Sequence, residues 1–257
     1  MRRASVALLL LLSFADASAR ALTPIAMDFD RSAPSLFSVM EAVRAQVAAM
    51  TVAGIPAVIP LIVFPSAPLD ILDWMSAEGW QSKRDDPRGW EVGGGALHFL
   101  SNADSVLLAT ERGFPRDISL TPILRLRLKV RAVPRGTDLA RKSGDDAALR
   151  VFIAFERGGG LFSPPRTIGY NWTEKDDAGT LIASAYFSNV QYISLGKGVT
   201  PGDEWVVVER DLAADYRRAF PADAEVPPLK GLALKCDAND TKTSAEAWLS
   251  EVGLRAK

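Results

Sequence analysis

Residues 124–131 read Leu-Arg-Leu-Arg-Leu-Lys-Val-Arg, apolar and basic by turns without a fault. Side chains of a β-strand alternate between the two faces of its sheet. This run therefore puts Leu124, Leu126, Leu128 and Val130 on one side and Arg125, Arg127, Lys129 and Arg131 on the other. A helix would scatter both sets around its axis. The segment demands a sheet with one dry and one wet face, as antiparallel sheets commonly have.

The rest of the body follows suit. Residues 150–156 are apolar on both faces, as a central strand would be, and further strands are expected at 61–64, 90–92, 96–100, 105–110, 168–172, 190–195, 205–211, 231–237 and 247–254. Turn signals fall between them at Gly93-Gly94-Gly95, Ser143-Gly144-Asp145, Gly158-Gly159-Gly160, Gly196-Lys197-Gly198 and Pro201-Gly202-Asp203. One helix is expected in the body, over 212–220, capped by Asp211, striped by Leu212, Tyr216 and Ala219, and stopped by Pro221. About ten short strands with turns between them predict an all-β, mainly antiparallel fold, a jelly-roll-like β-sandwich.

The first quarter is different. Arg2 and Arg3 precede an apolar stretch centred on Leu8 to Leu12, and Ala17-Ser18-Ala19 fits a small-x-small cleavage pattern. Residues 1–19 are read as a cleaved export signal, which places the protein in the periplasm or outside the cell. Residues 20–57 form an Ala- and Val-rich lead-in, with a candidate helix over 35–50, and the sandwich occupies 58–257. Residues 47–64 carry no charge, but Gly54, Pro56 and Pro60 interrupt them, so no stable membrane span is expected. The single cysteine, Cys236, cannot form an internal disulfide, so stability falls to a hydrophobic core.

Several chemistries can be set aside. The formal net charge of -1 argues against holding bulk nucleic acid. One His and one Cys cannot build a His/Cys metal site, and no G-x-S-x-G or G-x-x-x-x-G-K-[ST] motif occurs. His98 reads as a packed or rim residue. No cofactor is expected. A structural Ca²⁺ using Asp237 or Asp240 is an open option, but an Asx-rich turn capping its own backbone is favoured for Asp237-Ala238-Asn239-Asp240-Thr241. Glu156, Glu174, Asp176, Asp177, Glu204 and Glu209 are all available for paired-carboxylate glycoside hydrolysis, and that abundance weakens the signal.

The candidate ligand-binding residues are Arg125, Arg127, Lys129, Asp145, Asp146, Arg150, Tyr170, Trp172 and Trp205. The basic stripe would suit a glycan or an anionic polymer, or else be neutralised by neighbouring carboxylates. Tyr170 and Trp172 share a strand face and could stack on sugar rings, as could Trp205, although alternating aromatics are more often core. Asp145 and Asp146 are too close to be buried together without partners. One is expected to pair with Arg150 or the stripe and the other to cap a turn.

An ordered series of segments carries a resemblance. It runs from Trp90-Glu91-Val92-Gly93-Gly94-Gly95-Ala96-Leu97 and Ser105-Val106-Leu107-Leu108 through the alternating strand to Gly144-Asp145-Asp146-Ala147-Ala148-Leu149-Arg150-Val151. Tyr170-Asn171-Trp172 follows, then Trp205 with Glu209-Arg210-Asp211, Asp215-Tyr216-Arg217-Arg218-Ala219-Phe220 and finally Asp237-Ala238-Asn239-Asp240-Thr241. From about Leu61 onward the chain resembles the bacterial exported family domain of unknown function 3047. The resemblance implies a jelly-roll-like sandwich similar to carbohydrate-binding modules and implies no activity. The favoured expectation is a non-catalytic sandwich binding glycan or another envelope polymer. The alternatives are a carbohydrate-active hydrolase or lyase and a structural assembly protein of the envelope.

Overall fold

The computed structural model describes residues 58–157 and 164–257. Two sheets face each other. The six-stranded sheet holds β1 (Val58–Ile62), β3 (Glu91–Gly93), β4 (Ala96–Asn102), β6 (Ile123–Ala132), β11 (Val206–Asp211) and β13 (Ser244–Arg255). Its order is β11-β6-β13-β4-β3, with β1 on the far part of β13. The seven-stranded sheet runs β2 (Gln81–Arg84), β5 (Ser105–Thr110), β12 (Leu229–Asp237), β7 (Ala147–Phe155), β8 (Arg166–Thr173), β10 (Val190–Lys197) and β9 (Leu181–Ala183). Every strand pair is antiparallel except β8 with β10. The molecule is a jelly-roll-like β-sandwich.

The alternating segment is β6, paired with β11 on one side and β13 on the other. Leu124, Leu126 and Leu128 are fully buried and face the inner side chains Val151, Ile153 and Phe155 of β7 within one core. β13 obeys the same rule: Ala245, Ala247 and Leu249 point inward and are fully buried. A register shift between Leu249 and Glu251 then resets the parity, so Val252 and Leu254 take over the inner face.

Some expectations need correction. The strand expected at 61–64 lies at Val58–Ile62 and includes Pro60, which is tolerated because β1 pairs only with β13 and shifts register there. Strands β2 and β9 were not expected; β2 is exposed and polar, so it has no alternation to read. A second helix, α1 (Ile71–Glu78), precedes the expected one. Asp70 caps it by accepting from the Leu72 and Asp73 amides at 2.8 and 3.3 Å, and Gly79, at φ +72°, ends it. α1 is pinned by Trp74, which stacks between Phe64 and Trp80 at centroid distances of 6.1 and 5.7 Å. The expected helix is α2 (Leu212–Ala219), capped by Asp211 through the Ala214 amide at 3.0 Å. Asp215 in its first turn is buried and binds Arg210 and the Tyr170 hydroxyl, each at 2.9–3.0 Å, which fixes α2 to the sandwich.

A small second core of Leu139, Val190 and Tyr192, with Phe152 and Ile182, covers part of the outer side of the seven-stranded sheet. The readings for 1–19, for 20–57 and for the Gly158-Gly159-Gly160 turn lie outside the described residues. Among the described residues no helix is long and apolar enough to cross a membrane.

Candidate functional site

The outer face of the six-stranded sheet is built from side chains that alternation excludes from the core. β6 contributes Arg125, Arg127, Lys129 and Arg131. β13 contributes Glu246, Trp248, Ser250 and Glu251; β4 contributes His98, β3 Glu91, and Trp205 stands just before β11. Register places Lys129 opposite Trp248, Trp248 opposite His98, and His98 opposite Glu91. A single cross-strand row therefore runs Lys129–Trp248–His98–Glu91.

The rings in that row are packed, not scattered. The His98 and Trp248 rings lie parallel within 1° at a centroid distance of 4.2 Å. On the opposite flank of the Trp248 strand, Lys129 Nζ sits 4.2 Å from the indole centroid and the Arg131 guanidinium carbon 4.6 Å. Lys129 also lies 5.8 Å from the Trp205 ring, over which the Arg127 guanidinium sits at 4.6 Å. Cation–π contact and the long aliphatic stems stabilise this arrangement, and they leave the Lys129 side chain only 14% exposed.

Carboxylates neutralise the basic stripe. Arg125 Nε binds Glu251 at 2.8 Å, and Arg125 also reaches Glu209 at 3.4 Å, which Arg255 holds from the other side. Asp203 accepts from Lys129 at 3.2 Å and from Arg131 at 3.0 Å. Glu246 Oε1 takes Arg131 at 3.4 Å and His98 Nε2 at 3.1 Å, while His98 Nδ1 lies 3.5 Å from Glu91. Four cations (Arg125, Lys129, Arg131, Arg255) thus pair with four carboxylates (Asp203, Glu209, Glu246, Glu251), while Arg127 donates to the Ser250 hydroxyl and Glu91 faces His98. The hydrogen bond from Arg131 holds the Asp203 carboxyl below its usual range, and that from Arg255 does the same for Glu209. Three of the four stripe cations, Arg125, Lys129 and Arg131, are therefore held by neighbouring carboxylates, and the fourth, Arg127, by Ser250 and the Trp205 ring.

At its β3–β4 end the face opens into a groove of about 680 Å³. Its lining includes His98, Trp248 and Glu91 from the face, together with Leu69, Asp70 and Arg88. The volume is in the range of small-ligand sites.

The structure divides the sequence-expected residues. Arg125, Arg127, Lys129 and Trp205 come together on this face. Tyr170 and Trp172 do share a face of β8, but it is the core face, which corrects the expectation that they could stack on sugars. Tyr170 gives its hydroxyl to Asp215 at 3.0 Å, and burial pushes its phenol well above the ordinary value. Trp172 lies against Gly196, where a Cβ would stand 2.8 Å from the indole, and donates Nε1 to the Gly198 carbonyl at 2.6 Å.

Asp145, Asp146 and Arg150 lie on the outer side of the other sheet, and they too are buried. Arg150 donates to Asp145 at 2.8 Å and to Asn171, stands 4.0 Å from Asp237, and has its guanidinium 4.5 Å from the Tyr192 ring. Burial opposes the charge of Arg150, but the fields of Asp237 and Asp145 outweigh it and raise the guanidinium's proton affinity. Tyr192, which donates to Asp145 at 2.9 Å, is pushed up to about 12, first by burial. Asp146 accepts the amides of Asp240 and Thr241 at 3.2 and 2.7 Å. The Asp237–Thr241 turn is therefore capped by a distant residue instead of by itself, and Asp237 is engaged by Lys235 and the Ala147 amide. These residues join two distant chain segments; they do not present a surface to a ligand.

Sequence reasoning missed Trp248, Glu91 and Glu246 and read His98 only as a packed or rim residue. A signal was present: once Ala247 and Leu249 are placed inward, Glu246, Trp248 and Ser250 must face outward. What period alone could not supply was that β13 lies between β6 and β4.

A family model described as "Protein of unknown function (DUF3047)" matches residues 87–253. No curated protein matches the chain. Among solved structures, a conserved carbohydrate esterase from the Shiga toxin-encoding bacteriophage phi24B is similar at 12% identity and a TM-score of 0.39, covering 78% of this chain and 100% of its own. A family 12 xyloglucanase from Bacillus licheniformis is similar at 9% identity and a TM-score of 0.36, over 69% of this chain and 97% of its own. The xyloglucanase domain of NopAA, a type three effector from Sinorhizobium fredii, is similar at 10% identity and a TM-score of 0.38, over 69% and 93%. None of the three lends a residue role or a substrate to this chain.

Proposed function

The chain belongs to the DUF3047 family, and from that premise we propose that it is an exported, non-catalytic glycan-binding sandwich whose site is the outer face of the six-stranded sheet and the groove at its edge. The observation that carries this reading is the row Lys129–Trp248–His98–Glu91, a rigid aromatic wall flanked by charged hydrogen-bonding groups and standing over an open groove. Sugars offer apolar ring faces and dense hydroxyls; with the Trp248 ring stacked on His98 and covered by Lys129 and Arg131, the ring edges would meet the first and the flanking charged groups the second. The pairing of charge on the face favours a glycan over an anionic polymer, because Arg125, Lys129 and Arg131 already hold carboxylates and Arg127 is engaged by Ser250 and the Trp205 ring. Binding is favoured over hydrolysis because the face's carboxylates Asp203, Glu209, Glu246 and Glu251 are each tied up in ion pairs with its own Arg and Lys side chains. Residues 1–19 would direct export and 20–57 would lead into the sandwich at 58–257; support comes from Arg2-Arg3, the Leu8 to Leu12 stretch and Ala17-Ser18-Ala19.

The test is calorimetric titration of the full chain with plant and bacterial cell-wall oligosaccharides, paired with Trp248→Ala. Saccharide binding that Trp248→Ala weakens by about tenfold supports the reading. Absence of saccharide binding, or an affinity indifferent to Trp248→Ala, would sink it.

A further inference from the structure

We infer that the open edge of β11 is an interaction surface whose partner is a second copy of this chain, the two copies joining edge to edge into one continuous antiparallel sheet. A sheet edge carries unpaired amides and carbonyls, and proteins guard such edges with shortness, proline, bulges, charge or a covering segment. The other edges of this sandwich are guarded. β1 carries Pro60 and a register shift, and β2 carries Lys83, Arg84 and a shift of its own. β3 is three residues long and bridged by Leu69, whose amide donates to the Val92 carbonyl at 3.0 Å; β9 is also three residues long. β11 ends the strand order of the six-stranded sheet and has none of these devices. It runs six residues without proline or register shift and begins Val206-Val207-Val208. Its charged side chains are drawn back into their own chain: Glu209 to Arg255 and Arg125, Arg210 to Asp215, and Asp211 to the cap of α2.

The direction of the unpaired groups follows from the register. Pairing with β6 continues just past the strand, where the Leu212 amide donates to the Pro122 carbonyl at 2.8 Å. Backbone groups alternate in direction along an antiparallel strand, so those of Val206, Val208 and Arg210 face β6 and those of Val207 and Glu209 face the open side. Among the described residues neither Val207 nor Glu209 has a backbone partner there. The side chains lack the same neighbour. Val206 and Val208 pack on the core yet are only half-buried, while Leu128 and Leu126 opposite them are fully buried. Val207 stands 47% exposed on the outer face. A second β11, antiparallel and with Val207 opposite Val207, serves all of these residues at once. Val206 then meets Val208 of the other copy, twice, and Glu209 meets Trp205. No like charges oppose each other in that register, whereas centring on Glu209 would set two carboxylates face to face. This self-complementarity favours a second copy over a foreign strand. Outer side chains pair with outer ones, so both copies present their β6 stripes on one side of the joined sheet.

Six residues a side is far below the about 20–30 of a standard interface, so the association should be weak and concentration-dependent. The test is sedimentation velocity of the full chain over about 1–100 μM, with circular dichroism to check folding. The native chain should move from monomer toward dimer across that range. Val207→Lys sets like charges opposite each other at an already exposed position and should weaken association by about tenfold or more. Val207→Pro removes an amide that faces the open side and no bond to β6, so it should remain folded and monomeric. Val63→Lys, comparably exposed just past β1 on the far flank of β13, should dimerise like the native chain. A chain that is monomeric at every concentration overturns the inference. So does a dimer that persists in the folded Val207 variants, or one that Val63→Lys abolishes as well. None of these outcomes bears on glycan binding.

Discussion

Arg150 provides the sharpest test of how this sandwich is held together. Its side chain is 1% exposed and is surrounded by Asp145 at 2.8 Å, Asp237 at 4.0 Å, Asn171 and the Tyr192 ring. Arg150→Met keeps the volume of the stem and removes the charge. Among the described residues Asp145 would keep only the Tyr192 hydroxyl as a side-chain donor, and Asp237 would keep Lys235 and the Ala147 amide. Removing one partner of a buried ion pair costs about 3–5 kcal/mol, because the other charge stays buried without compensation. For a domain of this size each kcal/mol corresponds to about 2–4 °C, so the melting midpoint should fall by about 6–20 °C. The deficit should also depend on pH. Burial already pushes the Asp237 carboxyl up in the native protein, and losing Arg150 pushes it further. A carboxyl whose folded value lies above its unfolded value destabilises the fold at high pH, and the cost fades as pH falls through the raised value. Urea unfolding at neutral pH and at about pH 5 should therefore show the larger deficit at neutral pH. A loss below about 1 kcal/mol, or one no larger than that of Arg131→Met on the exposed stripe, would refute the account of Arg150 as a buried charge centre.

Three other outcomes follow from the structure. Leu126→Ala should cost about 2–5 kcal/mol in chemical unfolding, whereas Arg127→Ala, one residue along on the wet face, should cost under about 1 kcal/mol; equal costs would contradict the assigned parity of β6. Gly196→Ala should destabilise by about 1–3 kcal/mol and alter tryptophan fluorescence, since the new Cβ would stand 2.8 Å from the Trp172 ring. Cys236 is fully buried, and burial pushes its thiol well above the ordinary value, so a thiol reagent should label the native protein only as fast as it unfolds; rapid labelling without denaturant would contradict its placement.

How much of the site was legible depends on the range of the signal. The parity of β6 was readable because each residue's side is set by its neighbour, and Leu124 to Arg131 keep strict alternation. The cap and stripe of α2 were readable for the same reason, being contained within one turn or two. α1 escaped because Asp70, Trp74 and Gly79 carry ordinary helix signals in a short segment whose stability comes from Phe64 and Trp80 packing on Trp74. Tyr170 and Trp172 show the converse limit. Their shared face was legible, but not which face was dry, because an aromatic pair satisfies either side until the opposite sheet is in place.

The candidate site itself is a matter of strand order. Alternation by itself placed four cations on one side of β6 and a core on the other, and the run of short strands and turns predicted a β-sandwich. It could not tell whether that cationic side meets a ligand or its own carboxylates, because the answer lies on strands far away in the chain. Glu251 and Glu209 are 126 and 84 residues from Arg125, and Glu246 is 148 residues from His98. Sheet pairing alone brings them within Coulomb range, and the same pairing sets Trp248 between Lys129 and His98. Side-chain direction along a strand follows from local backbone geometry, whereas the neighbours across the sheet follow from the path of the whole chain.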